Sequence, residues 1–318
     1  MRKILVVSYS QTGQLTKIVD SIMEPLLNDE HIQIDSLAIQ PKVKFPFPWS
    51  FFKFFQVMPE SVYMKEIELD KVTIHSSIDS RFDGATDAIN EPYDLIVLSY
   101  QVWFLSPSLP ISSFLQSEQA KILFKDTPVM TVIGCRGMWL TAQEKMKALL
   151  AKLNANLVDN IVLTDECGAG FSFLATPLWM LTGNKKPVSW VPKAGVSDQD
   201  ITQAQRFGVA LHKRLSKNDS KILLPMMTNL SAVKINEKLI MSEKIGHRSF
   251  KVWGKLLMLL GPQNSMRRHI GLCFYFTFLL ALIITVVPIT ALIIKLISPV
   301  FKTKIAKQKA YYAQPSGE

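Results

Sequence analysis

The sequence predicts an α/β fold: a doubly wound, five-stranded parallel sheet with insertions, followed by a C-terminal hydrophobic membrane segment. Three observations predict it. Strand-like and helix-like blocks alternate through the first 216 residues, the pattern of a parallel sheet covered by helices on both faces. Tyr93–Tyr100, Val129–Gly134 and Leu157–Thr164 are short apolar runs without polar alternation, as expected of strands buried on both faces. The 25 residues from Ile270 to Ile294 carry no charge, and about 20 apolar residues suffice for a helix to cross a hydrocarbon core.

In chain order, Lys3–Ser8 reads as the first strand and Gly13–Leu27 as the first helix. His31–Ile39 alternates Ile and Leu with polar residues, the mark of a half-buried strand. Residues 41–90 are too long for a simple connection and contain "FPFPWSFFKFF", Phe45 to Phe55. After the three apolar strands, with a helix expected at Thr141–Leu153, residues 165–196 form a second insertion that includes "GFSFLATPLWMLTG". A helix then spans Asp198–Leu215 behind a cap at Ser197. Insertions of this length are typically lids or binding loops; their aromatic residues either patch the core, sit at a membrane interface or close over an apolar ligand. Residues 1–216 thus form the main domain, with 217–269 a basic amphipathic connector, 270–297 the membrane segment and 298–318 a basic tail. Within the connector, "KVWGKLLMLLG" has the character of an interfacial helix.

The formal charge of +10 is unevenly placed. Residues 217–318 hold 15 Lys/Arg against 4 Asp/Glu, whereas residues 1–216 hold 21 against 22. Positive charge gathered around an apolar segment favours anionic lipid over nucleic acid as its partner. Arg267 and Arg268 precede the segment, and Lys295, Lys302, Lys304, Lys307 and Lys309 follow it. With both flanks positive, the excess of Lys/Arg on cytoplasmic loops does not choose between a single span and a re-entrant hairpin bent near Pro288. The apolar run in "MRKILVVSYS" is too short for a signal peptide, which places the main domain in the cytosol. Cys135, Cys167 and Cys273 are far apart, so neither a disulfide framework nor a metal site is expected.

The first strand ends in "VVSYSQTGQLTK", Val6 to Lys17. A hydroxyl-rich, Gly-containing turn opening a helix offers backbone N–H groups and the positive end of a helix dipole to one point, which suits a phosphate. Ser10, Thr12 and Thr16 add hydroxyl donors, and Gly13 lets the backbone approach closely. The turn has no lysine at the position that a nucleoside-triphosphate loop requires and no G-x-G-x-x-G, so a single terminal phosphate is the expected guest.

This turn resembles the mononucleotide loop of the flavodoxin-like family, in which S/T-x-T-G-x-T wraps the phosphate of FMN. The sequence departs from that pattern at Leu15, where the family has Thr. The resemblance implies FMN as cofactor, the strand order 2-1-3-4-5, and a phosphate held by Ser10, Gln11, Thr12, Gly13, Gln14 and Leu15. It also implies that the loops after the third and fourth strands touch the flavin ring. The first, "YQVWFLSPSLP", supplies Gln101, Val102, Trp103 and Phe104; the second, "GCRGMW", supplies Gly134, Cys135, Arg136 and Gly137. The glycines of the second loop would let backbone amides approach the ring edge. Trp103 reads equally as core packing, and Arg136 equally as a solvated charge or as a cation beside the flavin N1/C2 oxygen.

A closer resemblance runs over almost the whole chain. "YSQTGQL", "FPFPW", "PES", "WFLSPSLP", "MWLTAQEK" and a C-terminal apolar segment ending in "YYAQPSGE" are similar to the bacterial dialkylresorcinol condensing enzymes, which accompany a ketosynthase in making flexirubin-type pigments. That resemblance implies oxidation of a 2,5-dialkylcyclohexane-1,3-dione to the aromatic resorcinol. It further implies a lipophilic substrate, attachment to membrane lipid at the cytoplasmic face of the inner membrane and a partner ketosynthase. Flavodoxin-like enzymes are often homodimers. Arg136, as an enolate stabiliser, and Tyr100 are the candidate catalytic residues, with Asp165 and Glu166 open between a catalytic and an ordinary loop role. A thiolate at Cys135 is a further alternative. Two other readings are a flavodoxin-like NAD(P)H:quinone reductase and a flavin-free membrane scaffold for the ketosynthase.

Overall fold

The structure is a computed structural model that describes residues 1–71, 73–76, 92–165, 167–186, 188–216, 225–286, 289 and 301–317. Its first strand, β1 (Arg2–Ser8), pairs in parallel with β2 (Ile32–Ala38) on one side and β4 (Leu95–Trp103) on the other. Beyond β4 lie β6 (Pro128–Cys135) and then β7 (Asn156–Thr164), also parallel. These five strands stand in the order 2-1-3-4-5, the doubly wound arrangement expected from the sequence. Two short antiparallel additions complete the sheet: β3 (His75–Ser76) on the outer edge of β2, and β5 (Ser106–Pro107), which folds back on the end of β4.

The helices divide between the two faces. On one, α1 (Gln14–Met23) buries Leu15, Ile18 and Ile22 at helical spacing. The predicted first helix ends early because Pro25 cannot continue the hydrogen-bond ladder, and a 3-10 turn, Glu24–Leu26, replaces its last residues. The segment 198–215 forms two helices, α8 (Asp198–Gln203) and α9 (Gln205–Leu215). They meet at Ala204, whose N–H reaches the carbonyls of both Asp200 and Ile201. Ser197 caps α8 by accepting from the Asp200 N–H. Glycine is required where α9 crosses α1, because a Cβ at Gly208 would lie 1.9 Å from the Ile22 carbonyl oxygen.

On the opposite face, α6 (Leu140–Lys152) covers a buried polar relay. The Tyr100 hydroxyl donates to Gln143 at 2.6 Å, Gln143 donates to Thr131 at 3.1 Å, and Thr131 is 2.9 Å from Asn160 Oδ1. Helices α4 (Leu109–Phe114) and α5 (Glu118–Phe124) connect β5 to β6.

The described parts of the insertions carry helices. The first holds α2 (Phe51–Gln56) and α3 (Met58–Tyr63), and the second holds α7 (Gly168–Thr182). The described part of the connector contains a 23-residue helix, α10 (Glu237–Leu259), against α3 and α6. An apolar helix follows, α11 (Met266–Ala281), which continues through a π-helical turn, Leu282–Val286. Pro288 and most of the second half of the apolar segment lie outside the described residues, as do Glu166 and residues 77–91.

The final helix, α12 (Lys302–Ala313), leads the chain back to the sheet. Ser316 is fully buried against β7: its hydroxyl accepts from the Asn160 N–H at 2.6 Å and lies 3.0 Å from Asp159 Oδ1. The Val162 N–H is bonded to the Ala232 carbonyl. The outer edge of β7 is therefore paired by two distant segments, which protects an otherwise exposed edge strand.

The α1–α9 crossing gives a first prediction. Gly208→Ala is expected to destabilise the fold by about 1–3 kcal/mol, the usual cost of forcing a methyl group into a packed contact. Urea unfolding would report this as a lower midpoint, and an unchanged midpoint would contradict the close crossing.

Candidate cofactor site

The register of the parallel strands brings the ends of β1, β4, β6 and β7 to one edge. Ser8 lies beside Ser99, Gln101 beside Gly134, and Cys135 beside Thr164. Between β1 and β4 the chain leaves the sheet in opposite directions, and a crevice at such a point is where doubly wound folds bind ligands. The turn from Tyr9 to Gly13 opens α1 at this crevice.

Gly13 precedes α1 with φ +75°, a left-handed conformation that glycine adopts readily, and having no side chain it leaves the helix start uncapped. Ser10 Oγ accepts from the Thr16 N–H at 3.4 Å and Thr12 Oγ1 from the Gln14 N–H at 3.5 Å, both at the outer limit of a hydrogen bond. Neither hydroxyl hydrogen has a protein acceptor among the described residues. The α1 terminus thus combines loosely held N–H groups with two outward donors.

Charges of both signs lie beside it: Lys17, Lys185 and Lys193 with Asp165 and Asp198, and Lys193 is paired with Asp198 at 2.7 Å. Lys185 has a lowered pKa, first because of burial and then because Lys193 and Lys17 lie close, with Asp198 and Asp165 opposing. Two glutamines order the surrounding loops: Gln11 donates to the Pro46 carbonyl at 2.8 Å and Gln14 to the Val196 carbonyl at 3.2 Å.

A second helix that starts at this edge, α6, is already capped. Glu243 of α10, 1% exposed, accepts the Thr141 N–H and is bonded to the backbone of Leu140 and Trp139. Burial raises the Glu243 pKa, opposed by those bonds. Of these two termini, that of α1 is the one left open to an anion.

The structure gives three of the sequence-predicted site residues a role in packing. Leu15 is 2% exposed and packs in the core, and a Cβ on Gly134 would lie 3.3 Å from both Leu15 and Ile18. The departure from Thr at position 15 and the glycine at 134 are thus one packing feature, and the Leu15 side chain cannot reach a phosphate. A side chain at position 134 would press on Leu15 and Ile18, so the glycine lets α1 pack closely on β6. Tyr100 is fully buried, with its hydroxyl committed to Gln143, so it belongs to the core relay and is no catalytic candidate.

Ser10, Gln11, Thr12, Gly13 and Gln14 form the turn, and Gln101, Val102, Trp103, Cys135, Arg136 and Gly137 stand at the strand ends around it. The Cys135 thiol is pushed up to about 12 by burial, which argues against a thiolate nucleophile. Arg136 has its pKa lowered by burial, with Asp165 and Cys167 opposing that shift. Asp165 accepts from the Cys167 N–H at 2.8 Å and from Thr176 Oγ1 at 3.0 Å. That carboxylate is built into the start of the second insertion and faces the Arg136 charge.

Trp103 meets Tyr9 edge-on at 6.0 Å between ring centroids, Phe45 at 4.9 Å and Trp49 at 5.9 Å. The contacts continue from Trp49 to Phe54 at 5.9 Å, Phe54 to Phe55 at 5.1 Å, and Phe55 to Phe276 of α11 at 5.8 Å. Phe104, with φ 47°, turns away from the crevice into this cluster, meeting Phe54 at 5.0 Å and Phe250 at 5.8 Å. An unbroken line of ring contacts thereby joins the crevice to the apolar helix.

Two site-shaping residues escaped the sequence reading: Glu243 and Lys145. The Lys145 ammonium donates to Ser106 Oγ at 2.7 Å and to the Val62 carbonyl at 2.8 Å, tying the Trp103 loop to α3. Only the abundance of exposed-type lysines was visible in the sequence, with no signal to single this one out.

Burial lowers the Lys145 pKa to about 8, with the Lys251 charge adding to the shift. Between about pH 8 and about pH 10 the unfolded chain then binds more protons at this position than the folded one, so this group makes stability rise with pH. Tyr9 and Tyr100, raised by burial, act in the opposite sense above that range. Urea midpoints across the window should climb in the parent and climb less in Lys145→Met; equal slopes would contradict the buried ammonium.

No family model matches the chain, and no curated protein matches it. Among solved structures, it is similar to a flavoprotein in complex with FMN from Lactobacillus acidophilus NCFM, with 16% identity, 51% of this chain and 93% of that chain covered, and a TM-score of 0.37. It is also similar to a flavodoxin from the domain Archaea, with 11% identity, coverage of 68% and 100%, and a TM-score of 0.33. A flavodoxin, WrbA-like protein from Agrobacterium tumefaciens gives 10% identity, coverage of 68% and 100%, and a TM-score of 0.36. The fold is established by the strand order described above.

Proposed function

We propose that this chain is a membrane-attached, FMN-dependent oxidoreductase that dehydrogenates a 2,5-dialkylcyclohexane-1,3-dione to a dialkylresorcinol. The observation that carries the reading is the line of aromatic rings from Tyr9 and Trp103 at the crevice to Phe276 on the apolar helix. It makes the interior between the apolar helix and the crevice continuously apolar, with Trp49 4% exposed, an environment suited to an alkyl-chain substrate. The sequence resemblance supplies the pathway, in which a ketosynthase would provide the dione.

The open α1 terminus fits the FMN phosphate, with Ser10, Thr12, Gly13 and the first N–H groups of α1 as its donors. FMN, when bound, supplies the acceptor for the hydride equivalent lost from the ring. Arg136 at the end of β6 presents N–H donors to a substrate oxygen, stabilising the enolate that forms as the acidic 1,3-dione loses its proton. The substrate gives up two hydrogens, one as hydride and one as a proton to solvent, and the diketone becomes the phenol by moving its remaining protons to oxygen.

The test is an absorption spectrum of the detergent-purified full chain, incubated with FMN and desalted, followed by anaerobic mixing with the dione. Retained flavin bands that bleach with formation of the resorcinol are expected. Bleaching by NAD(P)H alone would transfer the reading to a quinone reductase, and absence of flavin to a scaffold. Thr12→Val, which removes one hydroxyl donor, should weaken FMN binding about 5- to 30-fold in a flavin-fluorescence titration, with an unchanged Kd counting against phosphate binding at this turn.

A further inference from the structure

The geometry points to a monotopic insertion in which the apolar segment enters one leaflet of an anionic bilayer and returns to the face it left. This rests on the membrane-attached reading above but goes beyond it, since a single span and a hairpin make opposite demands on the tail.

The entry is fixed to the main domain. Arg268, at the start of α11, has a side chain 1% exposed; it forks onto Glu60 with Nη1 at 2.8 Å and Nη2 at 2.6 Å, and Nη2 also reaches the Gln56 carbonyl at 2.6 Å. A two-pronged Arg–carboxylate pair sets direction as well as distance. The exit is fixed to the same domain. In α12, the Tyr311 hydroxyl donates to Glu144 at 2.7 Å and Lys309 stands 3.7 Å from Glu237. Beyond it, Ser316 is bonded to Asn160 and Asp159. A chain that crossed a bilayer once between Arg268 and Lys302 could make none of the later contacts.

Depth follows from what α11 touches. Residues through Leu279 lie beside α2 and α10: Phe276 meets Phe51 at 4.6 Å, Phe278 meets Trp253 at 5.2 Å, and Leu272, Tyr275 and Leu279 join Met58, Val62 and Leu257 in one cluster. The 25 uncharged residues Ile270–Ile294, divided between an entering and a returning arm, reach about 18 Å at 1.5 Å per residue, where a hydrocarbon core is about 30 Å thick. The helix is 21 residues long with its π-helical turn, and only 11% of its most apolar window is buried. Ile270, Phe274, Phe278, Leu280 and Ile284 are exposed on it, and Leu256 and Leu259 of α10 extend the apolar band. Exposed cations flank the apolar segment in sequence, Lys251, Lys255 and Arg267 before it and Lys302, Lys304 and Lys307 after it, matching anionic headgroups.

The test adds the full chain to sealed vesicles of phosphatidylglycerol and phosphatidylethanolamine and collects the floated fraction. Gln263→Cys and Thr303→Cys, both at exposed positions, are each made in a Cys273→Ala parent and treated with an impermeant maleimide, with circular dichroism to confirm folding. Equal labelling of both, above the parent and unchanged by detergent, is expected. Labelling of Thr303→Cys only after detergent would overturn the hairpin while leaving membrane attachment intact. Failure of the parent to float would overturn the attachment itself.

Discussion

Placing the first strand between β2 and β4 is the constraint on which the rest of the molecule depends. Both edges of β1 are satisfied by parallel partners, so the chain must cross over above the sheet on one side and below it on the other. The connections diverge at the carboxyl ends of β1 and β4, leaving backbone termini facing an open crevice. Every residue assigned to the site stands at or just beyond a strand end whose position this reversal dictates. The aromatic insertion follows β2 and the Trp103 loop follows β4, so both rise beside the crevice, where they meet as a cluster of edge-to-face rings.

Electrostatics then distinguishes two helix termini that the topology makes equivalent. Both α1 and α6 begin at the carboxyl edge, and each carries the same partial positive charge. Glu243 supplies α6 with its carboxylate from a helix more than a hundred residues away in sequence. The start of α1 has hydroxyls at long range and lysines nearby instead. One terminus is neutralised within the fold, and the other is left to a ligand.

The strands were legible because burial on both faces writes itself into sequence as uninterrupted Val, Ile and Leu, and β4, β6 and β7 lie where those runs lie. The phosphate turn was legible because its requirements are local, a glycine at positive φ beside hydroxyls. What escaped was non-local. The Thr141–Glu243 cap spans 102 positions and the Asn160–Ser316 bond 156, and no periodicity within either segment announces its partner. Leu15 shows the intermediate case. Its departure from Thr was plain in the sequence, but its reason lies in the absent side chain of Gly134, which only packing reveals.

The apolar helix is the point at which local and non-local signals meet. By composition alone it satisfies the length of a membrane span, and nothing in its own residues separates crossing from returning. The separation comes from two contacts outside it, an arginine forked onto Glu60 before the segment and a serine buried against Asp159 after it. Each is costly to break, since it would leave a buried charge or hydrogen-bonding group without a partner. Together they hold both ends of the segment to one domain while its aromatic neighbours reach back to Trp103. The apolar helix and the crevice are therefore parts of one packed structure.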